Sequence, residues 1–149
     1  MKRVLAISSG GGHWTEMRRL MPVFEGLDVT FASVRPDDAA DVPGHRYYAF
    51  SDFSRFNKRG ALRSAMQIIG IVRKVKPEVV ISTGSAPTLF ALASARLLFG
   101  ARTIWIDSIA NVDRLSTSGR LARFVADDWL TQWEHLASPK GPRWLGAVL

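Results

Sequence analysis

Cysteine is absent from the 149 residues. That excludes a disulfide scaffold, a zinc finger, an iron–sulfur site and a thiol nucleophile. A long hydrophobic run is missing as well. A spanning helix needs ~18–20 apolar residues, and the longest candidate, Ala86 to Ala101, is interrupted by Pro87 and Arg96. The apolar start, Val4 to Ile7, is too short for a signal-peptide core, and the Ser8-Ser9-Gly10 that follows is no cleavage site. Internal repeats and low-complexity segments are lacking. So are clustered carboxylates and an Asp-x-Asp motif, so neither a metal nor another cofactor is expected. Acidic residues are the minority charge, 13 against 20 Lys and Arg, which leaves a net charge of +7. Such a surface favours polyanions: nucleic acid, an anionic membrane face or phosphorylated substrates. What is present is a chain 47% hydrophobic. It suffices for one domain over residues 1–149, burying about 68–70% of its unfolded surface.

Strand and helix patterns alternate along it. Arg3–Ser8 is a short run with β-branched residues, hence a buried strand. A glycine turn leads to a helix over His13–Phe24, apolar at Met17, Leu20, Met21 and Phe24, with Pro22 awkward near its end. Val29–Val34 and Arg46–Phe50 read as strands, separated by an acidic loop at Arg35–Gly44. Ser51–Gly60 is polar and aromatic without periodicity. A helix over Ala61–Val75 carries Leu62, Met66, Ile69 and Val72 or Arg73 on successive turns. Glu78–Ser82 is a strand, Thr88–Phe99 a helix closed by Gly100, and Arg102–Asp107 a strand. Ser116–Val125 reads as a short helix capped by Ser116 or Ser118. Trp129–Gln132 and Trp144–Val148 are short strand candidates. Strands separated by helices predict an α/β fold with a doubly wound parallel sheet, whose functional rim is the set of loops after the strands.

Several motifs fall on that rim. Ser9-Gly10-Gly11-Gly12-His13 joins the first strand to the first helix. Consecutive glycines let backbone amides approach a phosphate, and the helix start behind them attracts it. The alternative is a merely tight turn. His13 stands where the helix dipole disfavours imidazolium, which makes it a candidate general base or a structural cap. Thr83-Gly84-Ser85 follows the fourth strand, with small residues and hydroxyls that leave room for a ligand or form an ordinary connecting loop. Asp107 ends the fifth strand as a candidate acid/base group or a loop cap. Phe53, Arg55, Phe56, Lys58, Arg59 and Arg63 interleave aromatic and basic side chains. That mixture suits a membrane interface, with a solvated face as the alternative. Nucleic-acid binding is not expected, because no recognisable RNA or DNA module is present. Gln132-Trp133-Glu134-His135 forms no obvious metal site and reads as a surface loop or partner contact.

Gly10-Gly11-Gly12-His13 with Thr15-Glu16-Met17, Ser82-Thr83-Gly84, Ile106-Asp107-Ser108, Leu115 to Gly119 and Gln132-Trp133-Glu134 occur in one order. Together they resemble the acceptor subunit of two-component glycosyltransferases over nearly the whole chain. That family includes the membrane-recruiting subunit of the eukaryotic UDP-N-acetylglucosamine transferase acting on dolichol-linked oligosaccharide, and bacterial polysaccharide subunits of the PssD, EpsE and CpsF kind. The resemblance implies a Rossmann-like fold, the N-terminal half of a GT-B glycosyltransferase, similar to the acceptor half of MurG. It implies a separate donor-binding glycosyltransferase subunit that brings the nucleotide sugar, and a polyprenyl-diphosphate-linked sugar as acceptor. On this resemblance Ser9, Gly10, Gly11, Gly12, Thr83, Gly84 and Ser85 would bind acceptor diphosphate. His13 and Asp107 would be catalytic, and Gln132, Trp133 and Glu134 would form a partner-facing C-terminal motif. Asp107 stands where relatives often have Glu, and Glu134 where they often have Pro. The eukaryotic subunit's N-terminal anchor has no counterpart here, so the expected location is cytoplasmic, peripheral on the inner face of the cell membrane.

Overall fold

A computed structural model describes residues 1–53 and 56–148. Seven strands form one sheet: β1 (Arg3–Ile7), β2 (Asp28–Ser33), β3 (Arg46–Ala49), β4 (Val79–Ser82), β5 (Arg102–Ile106), β6 (Asp128–Thr131) and β7 (Arg143–Trp144). Their order is β3-β2-β1-β4-β5-β6-β7, and every pairing is parallel. The order reverses between β1 and β4, which makes the crevice between their loops the topological switch point.

Alternation along the strands builds two cores. Leu5 and Ile7 of β1, Val80 of β4 and Trp105 of β5 join one face. Val4, Ala6, Ile81 and Ile106, their immediate neighbours in sequence, join the other. The first face is covered by α2 (Lys58–Val75) and α3 (Thr88–Phe99), and by Ala122 just after the short α4 (Thr117–Leu121). On the second face α1 (Gly12–Arg19) lays down Trp14 and Met17. There Phe31 is ringed edge-on by Trp14, Phe24 and His45 at 6.0, 5.7 and 5.2 Å.

Element edges differ from the sequence reading for local reasons. The first helix stops at Arg19, and a 3-10 turn around Pro22 carries the chain to Phe24, since proline cannot donate in a continuing α-helix. The predicted acidic loop is largely a 3-10 turn, Pro36–Asp41. The second helix starts at Lys58, three residues early, because the Asn57 side chain accepts from the Gly60 amide. Its buried stripe is also different. Ser64, Ile68, Ile71, Val72 and Val75 face the sheet, whereas Leu62 and Met66 are 63% and 66% exposed. The last strand is only Arg143–Trp144, not Trp144–Val148. Among the described residues, no helix is long and apolar enough to cross a membrane.

Candidate functional site

The switch point is where the two glycine-containing loops meet. After β1, Ser8 and Ser9 remain buried, and the Ser8 hydroxyl donates to the Ser9 carbonyl at 3.0 Å. Gly11 has φ +66° and precedes α1, with no side chain capping the helix. The amides of the first turn therefore have no intrahelical acceptor. Gly11 and Gly12 are exposed, and a Cβ on either would meet nothing within 4 Å. Gly10 is different: a Cβ there would stand 3.0 Å from Cδ of Arg35.

His13 and Thr83 brace each other across the crevice. His13 Nδ1 lies 3.0 Å from the Thr83 carbonyl, and the Thr83 hydroxyl donates to the His13 carbonyl at 2.7 Å. A carbonyl only accepts, so Nδ1 carries the proton of the neutral ring and Nε2 keeps its lone pair. Gly84 makes room for that ring. Its φ is +128°, and a Cβ would stand 2.6 Å from His13 Nδ1. Ser85 follows with φ +91°, uncommon for a residue with a side chain. Its hydroxyl oxygen is buried and has no hydrogen-bond partner. Below it, Ser82 donates to the Thr88 hydroxyl at 2.7 Å, and Thr88 donates to the Ser85 carbonyl at 2.8 Å. This chain fixes the strained bend from beneath.

Asp107 sits differently from an open acid/base group on the rim. It is 2% exposed. One carboxylate oxygen accepts from the Ser116 hydroxyl at 2.7 Å and the Trp105 indole at 3.2 Å; the other accepts from the Ser116 amide at 3.1 Å and the Asn111 amide group at 3.2 Å. Ser116 in turn caps α4 through the Gly119 amide at 2.8 Å. A Cβ on Gly119 would reach 2.3 Å from Asp107 Oδ1. The carboxylate thus binds the loop after β5 into one piece.

Gln132 and Trp133 also turn inward. The Gln132 amide donates to Glu16 at 2.7 Å and to the Asp107 carbonyl at 3.0 Å, and its oxygen accepts from the Val148 amide at 2.7 Å. The Trp133 indole donates to the Ile109 carbonyl at 2.7 Å. Glu134 is exposed, and beyond it the His135 ring reaches the Val112 carbonyl. Sequence reasoning gave Glu16 no role of its own. It is 3% exposed, and its Oε1 accepts from the Ile109 amide and Gln132. A carboxylate on the inward side of a helix, three residues after a candidate base, was the available signal. Arg35 was also missed, folded into an acidic loop.

The remaining predicted positions lie just before α2 and in its first turns. Phe56 is 88% exposed, Lys58, Arg59 and Arg63 are exposed, and Phe53 packs against Phe90 of α3 with ring centres 6.2 Å apart. Arg55 lies outside the described residues. An apolar cavity of about 430 Å³ opens on the α1 side of the sheet, lined by Leu20, Ile81, Ile106 and Leu130 among others. No residue of the two glycine-containing loops lines it. Among the described residues, no three His, Cys, Asp or Glu side chains come together as a metal site.

The family model described as "Oligosaccharide biosynthesis protein Alg14 like" matches residues 54–148. A UDP-N-acetylglucosamine transferase subunit ALG14 from Eremothecium gossypii is 31% identical over 99% of this chain and 80% of its own length. The subunit of the same name from Yarrowia lipolytica is 36% identical over 50% of this chain and 37% of its own length. Among solved structures, MurG of Acinetobacter baumannii aligns over 99% of this chain with a TM-score of 0.71 at 13% identity. The UDP-bound MnaA of S. aureus aligns over 88% with a TM-score of 0.62 at 17% identity. The chain spans 44% and 37% of those two molecules. The fold is therefore the Rossmann-like one of a GT-B N-terminal half.

Proposed function

The chain belongs to the family of Alg14-like oligosaccharide biosynthesis proteins, and from that membership we propose that it is the acceptor-binding subunit of a two-component glycosyltransferase. A separate donor-binding subunit brings the nucleotide sugar. The acceptor is a sugar on a polyprenyl diphosphate, elongated during polysaccharide assembly at the cytoplasmic face of the cell membrane. UDP-N-acetylglucosamine is the donor to try first, because the curated relatives carry it in their names.

The His13–Thr83 brace beside the open glycine loop carries this reading. Amides of the Gly10–Gly12 turn receive the diphosphate, and Thr83, Gly84 and Ser85 form the opposing wall. The orphan Ser85 hydroxyl is available to donate to the same ligand. His13 Nε2 takes the proton of the acceptor hydroxyl as its oxygen bonds to the anomeric carbon. The bond from that carbon to the nucleotide diphosphate breaks, and the nucleotide leaves with the partner. Asp107 holds the loop after β5 in shape and takes no part in proton transfer.

The aromatic and basic start of α2 supports peripheral membrane contact. In a parallel sheet every strand-to-helix connection lies on one rim. Phe56, Lys58 and Arg59 therefore share an edge with the glycine loop, and a lipid-borne diphosphate would arrive from that side. The same exposed patch favours one rival, a recruiter that brings a self-sufficient enzyme to the membrane. Reconstitution with the companion subunit, nucleotide sugar and polyprenyl-diphosphate-linked acceptor separates the two. His13→Ala lowers turnover by about 10²–10⁴-fold, as expected for loss of a general base, with assembly unchanged. Near-normal turnover would leave only the recruiter.

A further inference from the structure

The anion site described so far is built from amides, and a diphosphate carries charge that amides alone do not neutralise. Arg35 stands beside it. It follows β2, the neighbour of β1 in the sheet, so its loop adjoins the glycine loop on the same rim. Its stem lies on Gly10: a Cβ there would be 3.0 Å from Cδ and 3.1 Å from Cγ. The absent side chain at Gly10 is what lets the arginine lie so close.

The backbone of Arg35 is pinned while its head group is uncommitted. Its carbonyl accepts from the Tyr47 hydroxyl and from the Asp38 amide. Two carboxylates of its loop, Asp38 and Asp41, are engaged elsewhere. Asp38 accepts from the Ser33 hydroxyl at 2.7 Å, and Asp41 accepts from the Trp14 indole at 2.9 Å and pairs with Arg18 at 3.7 Å. Six other arginines, Arg3, Arg18, Arg46, Arg96, Arg102 and Arg143, have carboxylate partners. Among the described residues, the Arg35 guanidinium forms no ion pair. A fixed Cα with a free fork of donors is the form that bidentate phosphate binding uses.

We infer that Arg35 is the cationic arm of the site, its guanidinium closing over the diphosphate that the Gly10–Gly12 turn receives. This rests on the acceptor-diphosphate reading above. It adds a binding residue from a third loop and a reason for glycine at position 10.

Titration calorimetry of the full chain with inorganic pyrophosphate, at low and moderate salt, tests it. Arg35→Gln weakens binding by about tenfold or more, the scale of a lost charge-assisted hydrogen bond. It also reduces the salt dependence. Arg35→Lys restores part of the affinity. Arg73→Gln, at the far end of α2, changes nothing and controls for net charge. Gly10→Ala weakens binding less on top of Arg35→Gln than in the wild-type background, because part of its effect passes through the displaced arginine. In the assembled pair, Arg35→Gln raises KM for the lipid-linked acceptor more than it lowers kcat. If the wild type binds pyrophosphate and Arg35→Gln binds within twofold of it, the arm is disproved while the glycine-loop site stands. If the wild type binds no pyrophosphate, the site itself falls and the arm with it.

Discussion

Gly84 is the residue on which the crevice geometry depends most narrowly. Its φ of +128° is a conformation that L side chains rarely adopt, and a Cβ would press on the His13 ring at 2.6 Å. Gly84→Ala should cost about 1–3 kcal/mol from the backbone alone. It should also displace the imidazole from the Thr83 carbonyl. Thermal melting and turnover of the assembled pair measure the two effects separately; unchanged values in both would mean that the ring has room to spare. Asp107 is the opposite kind of residue, important for what it holds. Asp107→Asn turns one of the two acceptor oxygens into a donor, facing Ser116 together with either Trp105 or Asn111. A loss of about 2–3 kcal/mol is expected, or roughly 4–12 °C in Tm for a domain of this size. His13 was readable as a candidate because it stands beside three glycines. Glu16 and Arg35 were not, and Gln132 was readable as part of a C-terminal motif but not as a partner of Glu16. Glu16 meets Gln132 across 116 positions in the chain, and no local pattern encodes that contact.

At the scale of elements, the alternation of strand and helix was legible because the central strands are short apolar runs and the helices between them end at glycine or proline signals. Gly100 ends α3 in the left-handed conformation, as expected of a glycine at that position. The orientation of α2 was not legible. Apolar residues lie on more than one side of it, and Ser64 rather than Leu62 occupies the stripe against the sheet. Only the packed structure decides which side is inward. The edge of the sheet carries its own electrostatic clamp. Asp128 on β6 accepts from Arg102 of β5 at 2.8 Å and from Arg143 of β7 at 2.7 Å. The Arg102 hydrogen bond, with Arg143 adding, holds the Asp128 carboxyl below its ordinary value of 3.8. A depressed folded value means that this stabilisation is complete above the unfolded value and is lost as pH falls through the folded one. Stability should therefore decline below about pH 4. Asp128→Asn should cost about 1 kcal/mol at neutral pH and flatten that acid limb. Coincident acid limbs in wild type and variant would show that the clamp contributes nothing.

At the scale of the whole molecule, one edge is basic and apolar-tipped. Phe56, Leu62 and Met66 are exposed beside Lys58, Arg59 and Arg63. Each basic residue near an anionic leaflet contributes about 1 kcal/mol. Replacing all three by Gln should therefore lower partitioning onto phosphatidylglycerol-containing vesicles by about 10²-fold. Neutral vesicles should show little difference; equal binding of both proteins to anionic vesicles would move the membrane contact elsewhere. The central claim is the division of labour: this chain takes the lipid-linked diphosphate and leaves the nucleotide sugar to its partner. Calorimetric titration of the isolated chain with a short-chain polyprenyl-diphosphate sugar and, separately, with UDP-N-acetylglucosamine tests it most directly. The account predicts saturable binding of the diphosphate lipid and at most feeble binding of the nucleotide sugar. Tight uptake of UDP-N-acetylglucosamine with no response to the lipid would contradict it.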